Sequence, residues 1–439
     1  MNDRKQIFAW AMYDWANSAY ITTVAVGILP IYFADVVLGG NDAVFGGQSF
    51  SATTVWAWLV GFSALVIFLC APVLGAISDF SASKKIFVTV FCYAGSMATI
   101  LLVFCGPGDV WETMALFVIA QTCFVGGNVF YDAFLPQIAS EDKLDRVSGR
   151  GFAYGYIGGG LQFAGSLALI AFHGTLGLSM ETAVLVALGS AGVWWGGFAL
   201  VTVILLRETG SAERLPERYK TLPATIAYVR IGIERTVATA RKVRSFKHLL
   251  MFLIAFMIYN DGIQTVIALS TIYGRKALGL SMFDLMLTLL IIQFVAIFGA
   301  LMFSRVAEKL STKRALMITL LLWSGVVIYA YFMTTAREFY ILGIIVGITM
   351  GGSQALSRSL YGSIIPVDAS AEFYGFYSVF SKFSAIWGPF VFGVIDKIAG
   401  SPRLAIISLI LFFIVGLALL ALVNVEKAKK AKQTELFVN

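Results

Sequence analysis

The sequence predicts an all-α membrane protein with twelve transmembrane helices in two pseudo-symmetric bundles of six. Three observations support this fold class. Of the 439 residues, 59% are hydrophobic and only 13% are charged, whereas a typical soluble domain has about 25% charged residues. Twelve apolar runs are long enough to cross a bilayer. Short motifs also recur in the same order in the two halves of the chain.

Each apolar run has roughly the twenty residues that a membrane-spanning helix needs. Spans 1 to 12 are predicted near residues 8–33, 54–78, 86–105, 112–138, 151–172, 183–206, 249–273, 284–307, 315–333, 338–361, 373–396 and 403–424. Because Asp14 interrupts the first run and the hydrophobicity continues to about Phe33, we interpret it as a retained span and not as a cleaved signal. The predicted domains are an N-terminal bundle, a linker, a C-terminal bundle and a tail, at residues 1–206, 207–248, 249–424 and 425–439.

The distribution of lysine and arginine predicts the orientation. With the N-terminus inside, the segments on the inner side contain 25 of these residues and the outer segments contain 5. Cytoplasmic loops carry such an excess, so both termini are predicted to be cytoplasmic. We expect a multi-pass protein of a bacterial inner (plasma) membrane, embedded in the lipid bilayer. The net charge of +7 is then a topology signal, and no nucleic-acid partner is expected.

The linker is predicted to contain a basic amphipathic helix. Apolar residues recur there at helical spacing, while most of the arginines and lysines fall elsewhere: Leu222, Ile226, Val229, Ile233, Val237, Ala240 and Val243 form the apolar series. Two interpretations remain open. The helix either packs beneath the bundle and holds the two halves together, or provides a regulatory surface that senses lipid.

The two halves of the chain echo each other at three places. An acidic residue followed by a basic pair ends spans 2 and 8, a glycine pair lies in spans 4 and 10, and an aromatic-Gly-aromatic triplet opens spans 5 and 11. The first of these motifs comprises Asp79 with Lys84 and Lys85, echoed by Glu308 with Lys313 and Arg314. Together the three matches predict a duplicated six-span unit. We expect the acid-basic turns to form a latch on the cytoplasmic side.

These features resemble the major facilitator superfamily. Its signature loop reads G-x-x-x-D-[RK]-x-G-[RK]-[RK], and GAISDFSASKK keeps Gly75, Asp79, Lys84 and Lys85 but has Phe80 in place of the first basic residue and lacks the glycine of the turn. The segments YDWANSAY, YNDGIQTV and AEFYGFYSVFSKFSAIWGP are similar to the branch that contains fungal vacuolar amino-acid effluxers of autophagy and bacterial relatives. The resemblance implies secondary transport by two six-helix halves that rock about a central site.

Ionisable residues inside the predicted spans are the candidate functional residues, because such groups normally face a bundle interior or water. They are Asp14 in span 1, Asp132 in span 4, Asp261 in span 7, Arg358 in span 10 and Lys382 in span 11. Four of the five lie on spans 1, 4, 7 and 10, the helices that the resemblance predicts to line the central cavity.

Span 1 carries a polar face formed by Asp14, Asn17, Ser18 and Thr22, which recur every three or four residues. Tyr20 lies on its flank, where an aromatic and amide-rich wall could contact a solute. Asp14 lies near the cytoplasmic end of the span, so a gating or coupling role is favoured over substrate contact.

Asp132 and Arg358 occupy nearly equivalent places in the two repeats and have opposite charges. We hypothesise that Asp132 or Asp14 pairs with Arg358 and closes the cytoplasmic side. The alternative is a purely structural pair within one half.

In span 7, Asn260, Asp261 and Gln264 are the predicted substrate site, and an interhelical hydrogen-bond network is the alternative. Lys382 is predicted either to bind a carboxylate or to be a packed, paired lysine.

The sequence thus predicts a proton-linked or facilitative transporter of a small polar solute, with an amino acid or similar zwitterion preferred. A sugar, peptide, organic acid or drug is the alternative substrate. A membrane-embedded transferase or a lipid-interacting signalling protein is the alternative class. No nucleophile with its base and no His/Asp cluster is visible, so we expect no enzymatic activity, cofactor or metal. We expect a monomer.

Overall fold

The computed structural model describes residues 1–210, 212–385 and 387–433. The first six spans are Arg4–Val37, Ala52–Ser81, Lys84–Phe104, Val110–Ile138, Leu144–Ala171 and Met180–Leu205. The last six are Lys247–Leu278, Met282–Leu310, Thr312–Phe332, Ala336–Ile364, Ser370–Ala399 and Pro402–Leu422. All twelve predicted helices are present, and the predicted fold class is confirmed.

Eleven of the helices in the described part of the chain are long and apolar enough to cross a membrane by length and composition. Span 5, Leu144–Ala171, is the helix left out. Its first turns are charged and it is rich in glycine and tyrosine, which lowers its mean hydropathy. The reason for this composition is contact with other helices, since span 5 packs against span 1 and span 8.

The described structure also has a hairpin, a linker helix, a tail helix and two short 3-10 helices, Glu141–Lys143 and Glu217–Tyr219. A hairpin of Ala43–Phe45 and Gln48–Phe50 lies between spans 1 and 2. The linker helix, Ala224–Ser245, follows span 6, and the tail helix, Val425–Gln433, follows span 12. The rest of the predicted tail lies outside the described residues.

The N-terminal residues and the tail helix lie at the same end of the bundle, which we call the linker face. The Asn2 amide donates to Ser140 Oγ at 2.8 Å, and the tail helix reaches the same loop through Lys429, whose Nζ lies 2.6 Å from Glu141 Oε1. The segment before the linker helix joins them there, because the Glu213 backbone N–H donates to the Phe80 carbonyl at 2.9 Å. Partial burial raises the pKa of Glu141, but Lys429 and Lys432 outweigh it and hold the pKa below the ordinary value.

The halves meet where spans 2 and 11 and spans 5 and 8 lie side by side. Small residues allow this approach. A Cβ added at Gly75 would lie 2.5 Å from the Ala371 carbonyl oxygen, and one added at Gly375 would lie 2.8 Å from Pro72 Cα. Spans 2 and 11 are therefore in backbone contact near the linker face.

Candidate functional site

A cavity of about 470 Å³ lies between the two halves. Side chains from spans 1, 4, 5, 7, 8, 10 and 11 line it. They include the candidates Asp14, Asn17, Asp132, Asn260, Gln264, Arg358 and Lys382. Seven of the nine predicted substrate or coupling candidates therefore line one cavity.

Arg358 forms the end of this cavity nearest the linker face, and only 3% of its surface is exposed. Its Nη1 donates to Asp132 Oδ1 at 3.0 Å and to Asp14 Oδ2 at 3.3 Å. The pairing hypothesis named either aspartate, and the structure brings both to the same guanidinium. Two carboxylates share one positive charge, so the cluster has a formal excess of one negative charge.

Span 5 holds the other side of the guanidinium. Arg358 Nε donates to Ser148 Oγ at 3.0 Å, and its Nη2 donates to the Ser148 backbone carbonyl at 2.9 Å. The ring of Phe152 lies against it, 4.0 Å from ring centroid to Cζ, a cation–π arrangement. Because Arg358 belongs to the C-terminal half and its partners to the N-terminal half, these contacts join the two halves.

Gly151, Gly155 and Gly159 recur at every fourth residue of span 5 and leave space beside this cluster. A Cβ added at Gly151 would lie 2.7 Å from Trp10 Cζ3 and 2.8 Å from Arg358 Nη2. One added at Gly155 would lie 2.7 Å from Ser18 Oγ. Span 5 therefore packs closely on span 1, as a row of glycines at every fourth residue indicates.

The polar face of span 1 is divided between the cavity and the N-terminal half. Asn17 donates from Nδ2 to Asn128 Oδ1 at 2.6 Å, while its own Oδ1 has no hydrogen-bond donor among the described residues. Tyr20 is fully buried inside the half and donates to Gln121 Oε1 at 3.1 Å. Tyr20 lies six residues after Asp14, about one and two-thirds helical turns, so it points toward span 4 and not into the cavity. The placement predicted for Tyr20 is corrected accordingly.

Asp261 also lies outside the cavity, contrary to its expected place in a substrate site. Span 11 is broken into Ser370–Phe383 and Trp387–Ala399. The backbone N–H groups of Trp387 and Gly388 donate to the Asp261 carboxylate at 3.1 and 2.8 Å. Asp261 therefore caps a helix N-terminus, where unsatisfied N–H groups and the helix dipole favour an anion. This matches the interhelical alternative.

The neighbours of Asp261 do reach the cavity. Asn260 donates from Nδ2 to Ser384 Oγ at 2.5 Å, on the residue next to the break in span 11. Gln264 and Lys382 line the cavity, and Lys382 has no ion-pair or hydrogen-bond partner among the described residues. The packed-pair interpretation of Lys382 therefore has no partner to support it.

The predicted latch differs between the halves. Asp79 binds Lys84, 2.6 Å from Nζ, and accepts from the backbone N–H groups of Ala371 and Glu372 at 3.3 and 2.8 Å. It thus caps span 11 of the opposite half. Lys85 meets Glu208 only through its backbone N–H, at 3.1 Å.

The echo in the C-terminal half does not form an equivalent contact. Glu308 and Arg314 are exposed and make no ion pair with another described residue. Lys313 donates to the carbonyls of Ala421 and Val423, at 2.7 and 2.8 Å, at the end of span 12. Here Asp145 crosses between the halves, because it accepts from Ser359 of span 10. The expected symmetry of the latch is therefore corrected: the repeats share the motif and not its contacts.

Sequence reasoning missed several cross-half contacts. Ser148 holds Arg358, Tyr156 donates to Gln354 Oε1 at 2.6 Å, and Gln293 donates from Nε2 to Thr22 Oγ1 at 2.6 Å. Polar residues within spans 5 and 8 could have indicated these contacts. They were not selected as candidates because the selection was limited to ionisable residues inside the spans, and these side chains are neutral.

Comparisons with known proteins agree with this architecture. Residues 2–433 match the family described as "Vacuole effluxer Atg22 like". The chain is 33% identical over 434 residues to the uncharacterized MFS-type transporter YxiO of Bacillus subtilis strain 168, covering 98% of this chain and 97% of that protein. It is 23% identical over 479 residues to autophagy-related protein 22-1 of Penicillium rubens, covering 91% and 80%.

Among solved structures, the major facilitator proton:xylose symporter XylE bound to 6-bromo-6-deoxy-D-glucose shares the fold. The TM-score is 0.70 at 11% identity, covering 97% of this chain and 99% of that chain. The family match spans nearly the whole sequence, and the arrangement of the twelve helices matches the fold of that symporter. The chain therefore belongs to the Atg22-like branch of the major facilitator superfamily of transporters.

Proposed function

We propose that this transporter carries a small zwitterion, with amino acids as the first candidates. The observation that carries the proposal is the charge pattern of the cavity. Lys382 lines it without an acidic partner among the described residues, and Asp14 and Asp132 share Arg358 in the same cavity. A solute with one carboxylate and one ammonium group complements both features.

Each charged group of such a solute has a candidate partner. The Lys382 ammonium binds the carboxylate, and charge-assisted hydrogen bonds of this kind are stronger than neutral ones. The ammonium of the solute is attracted by the excess negative charge of the Asp14–Asp132–Arg358 cluster. Sites for small molecules commonly enclose about 300–1,000 Å³, so a cavity of about 470 Å³ suits a small solute.

We further propose that the Arg358 cluster closes the linker face and that this face is cytoplasmic, with both termini inside a bacterial plasma membrane. Residues 1–206 and 249–424 would then be the moving units of a monomer. Asp14 and Asp132 are candidate proton carriers, because they share one guanidinium, and the carboxylate that it does not neutralise can take either a proton or the ammonium group of the solute.

Solute counterflow in liposomes tests the proposal. Purified protein is reconstituted into vesicles loaded with one unlabelled solute at a time from a panel of amino acids, sugars, organic acids and dipeptides. We expect saturable uptake of the matching labelled solute only for amino acids or close zwitterions. Exchange of a sugar or organic acid with no amino-acid exchange would refute the substrate class. Exchange of nothing, by protein whose folding is verified, would contradict transport of this panel altogether.

Lys382→Gln separates the cavity site from other effects. It removes the unpaired positive charge at similar size, and the control is Lys397→Gln on the same span, where the lysine is exposed. We expect loss of zwitterion exchange in the first variant and wild-type exchange in the second. Equal activity of the two would remove Lys382 from the site.

A further inference from the structure

The linker helix has two apolar sides, and only one of them is covered by protein. Ala227 and Ile231 are buried in a small cluster with Phe80 and Tyr219. On the other side, four aliphatic residues form a stripe at helical spacing, and each is 44–49% exposed: Ile226, Val229, Ile233 and Val237. A surface helix of a soluble domain normally presents polar residues on its outer side. We therefore expect the four exposed residues of the stripe to contact an apolar environment.

The position of the helix indicates what that environment is. A Cβ added at Gly232 would lie 2.7 Å from Ile77 Cγ1 and 3.0 Å from the Val73 carbonyl oxygen. Span 2 ends at Ser81, so these contacts fall four and eight residues inside it, about 6 and 12 Å at 1.5 Å per residue. Amphipathic helices bound to a bilayer lie about 5–10 Å into the headgroup and acyl boundary. The linker helix therefore packs against the last turns of a membrane span, where a bilayer would place it near the lipid headgroups.

Charge identifies the class of lipid. The linker helix has five basic residues and one acidic residue. Arg235 is occupied by Glu213, 2.5 Å away, and lies over Phe80, but Arg230 is exposed and lies four residues after Ile226, next to the apolar stripe. A basic residue near an anionic membrane surface contributes attraction that salt screens.

We propose that the outer side of the linker helix is seated in the anionic headgroup region of the bilayer, with the four-residue apolar stripe among the upper acyl chains and Arg230 on lipid phosphate. The linker helix is then tied to span 2 on one side and to lipid on the other. This surface is separate from the cavity and does not depend on the substrate. A second protein copy on the stripe would be the competing occupant.

Spin-label accessibility in the full-length protein tests this directly. Cys70 is exposed and the other three cysteines are buried, so Cys70→Ser is the background. A label is placed at Ile233→Cys on the stripe or at Ala238→Cys, an exposed position five residues on, about 140° around the helix. Protein is reconstituted in phosphatidylcholine with or without phosphatidylglycerol. Collision with oxygen, which concentrates in lipid, is compared with collision with a water-soluble nickel chelate.

With phosphatidylglycerol present, we expect the oxygen-to-nickel ratio to be severalfold higher at position 233 than at 238. Removing the anionic lipid, or adding Arg230→Gln, should lower the ratio at 233 and leave that at 238 unchanged. Equal ratios at both positions would place the stripe in water and overturn the proposal. Spin–spin broadening at position 233 would assign the stripe to a second copy and overturn it as well. A ratio at 233 that is high but independent of anionic lipid would refute the headgroup specificity.

Discussion

Replacement of Arg358 by glutamine should open the linker face. The variant removes the guanidinium that now binds Asp132 and Asp14, at 3.0 and 3.3 Å, and leaves two carboxylates whose side chains are only 19% and 13% exposed. It also leaves the Ser148 carbonyl without the donor that lies 2.9 Å away. These contacts join opposite halves. In the variant, the closed conformation therefore buries the unpaired groups, whereas an open conformation lets water solvate them.

The magnitude follows from the burial of the cluster. Removing one partner of a buried ion pair costs about 3–5 kcal/mol, because an uncompensated charge is left behind. Since about 1.4 kcal/mol corresponds to a tenfold change in an equilibrium constant, the ratio of closed to open molecules should fall roughly a hundredfold or more. Asp132→Asn should have a larger effect than Asp14→Asn, because Asp132 lies closer to Arg358 Nη1, at 3.0 Å against 3.3 Å.

Double electron–electron resonance can measure this change. Spin labels at Lys143 and Asp368, exposed loop positions in opposite halves, report the separation at the linker face. We expect a longer distance in the Arg358→Gln protein and an unchanged one in Arg305→Gln, which alters an exposed arginine of span 8. A distance distribution identical to that of the wild type would refute the gating role. Recovery of the short distance in a charge-swapped Asp132→Arg/Arg358→Asp protein would support the pairing.

Three further predictions concern the packing around Arg358, the Asp79 cap and the contact of the tail helix. Gly151→Ala should displace the buried guanidinium, costing about 1–3 kcal/mol by overpacking, and should lower thermal stability, whereas Gly165→Ala, where a Cβ meets nothing within 4 Å, should not. Asp79→Asn should weaken the cap of span 11 and leave the buried Lys84 without its carboxylate. The melting temperature of this variant should therefore fall well below that of Glu308→Gln. Equal melting temperatures would contradict the difference between the two halves of the latch. Lys429 and Lys432 hold the pKa of Glu141 below its usual value, so the contact between Glu141 and the tail helix should be complete above the usual pKa and be lost as the pH falls through the lowered pKa. At neutral pH, Glu141→Gln should imitate that loss and speed tryptic cleavage of the tail. Unchanged cleavage would contradict this role of Glu141.

The pairing of Arg358 could be predicted because intramembrane charge is costly and has few solutions. Asp132 and Arg358 lie at nearly equivalent places in the repeats, and two opposite charges at equal depth satisfy each other. The same reasoning included Asp14, which the structure adds to the pair. The sequence could not predict the contact between Arg358 and the Ser148 carbonyl. Every residue has a backbone carbonyl, and only the packing of span 5 places this one beside the guanidinium.

Asp261 shows why depth and charge alone are insufficient. A carboxylate in mid-span is satisfied equally well by a solute, a cation or a pair of backbone N–H groups. The break in span 11 supplies those N–H groups, and the break lies about 125 residues downstream of Asp261, so no local pattern near Asp261 indicates it. Glu308 likewise repeats the motif of Asp79, but its contacts depend on how closely the opposite half approaches.

Substrate affinity of the Lys382→Gln variant tests the central claim most directly. Isothermal titration calorimetry compares the wild type and the variant for an amino acid that counterflow identifies and for the amide of that amino acid, which lacks the carboxylate charge. A hydrogen bond to a charged group contributes about 1.5–3 kcal/mol, or roughly a ten- to hundredfold change in Kd. We expect Lys382→Gln to weaken binding of the amino acid by that factor and to leave the amide unchanged. Equal losses for both ligands, or no loss for either, would contradict recognition of the carboxylate by Lys382.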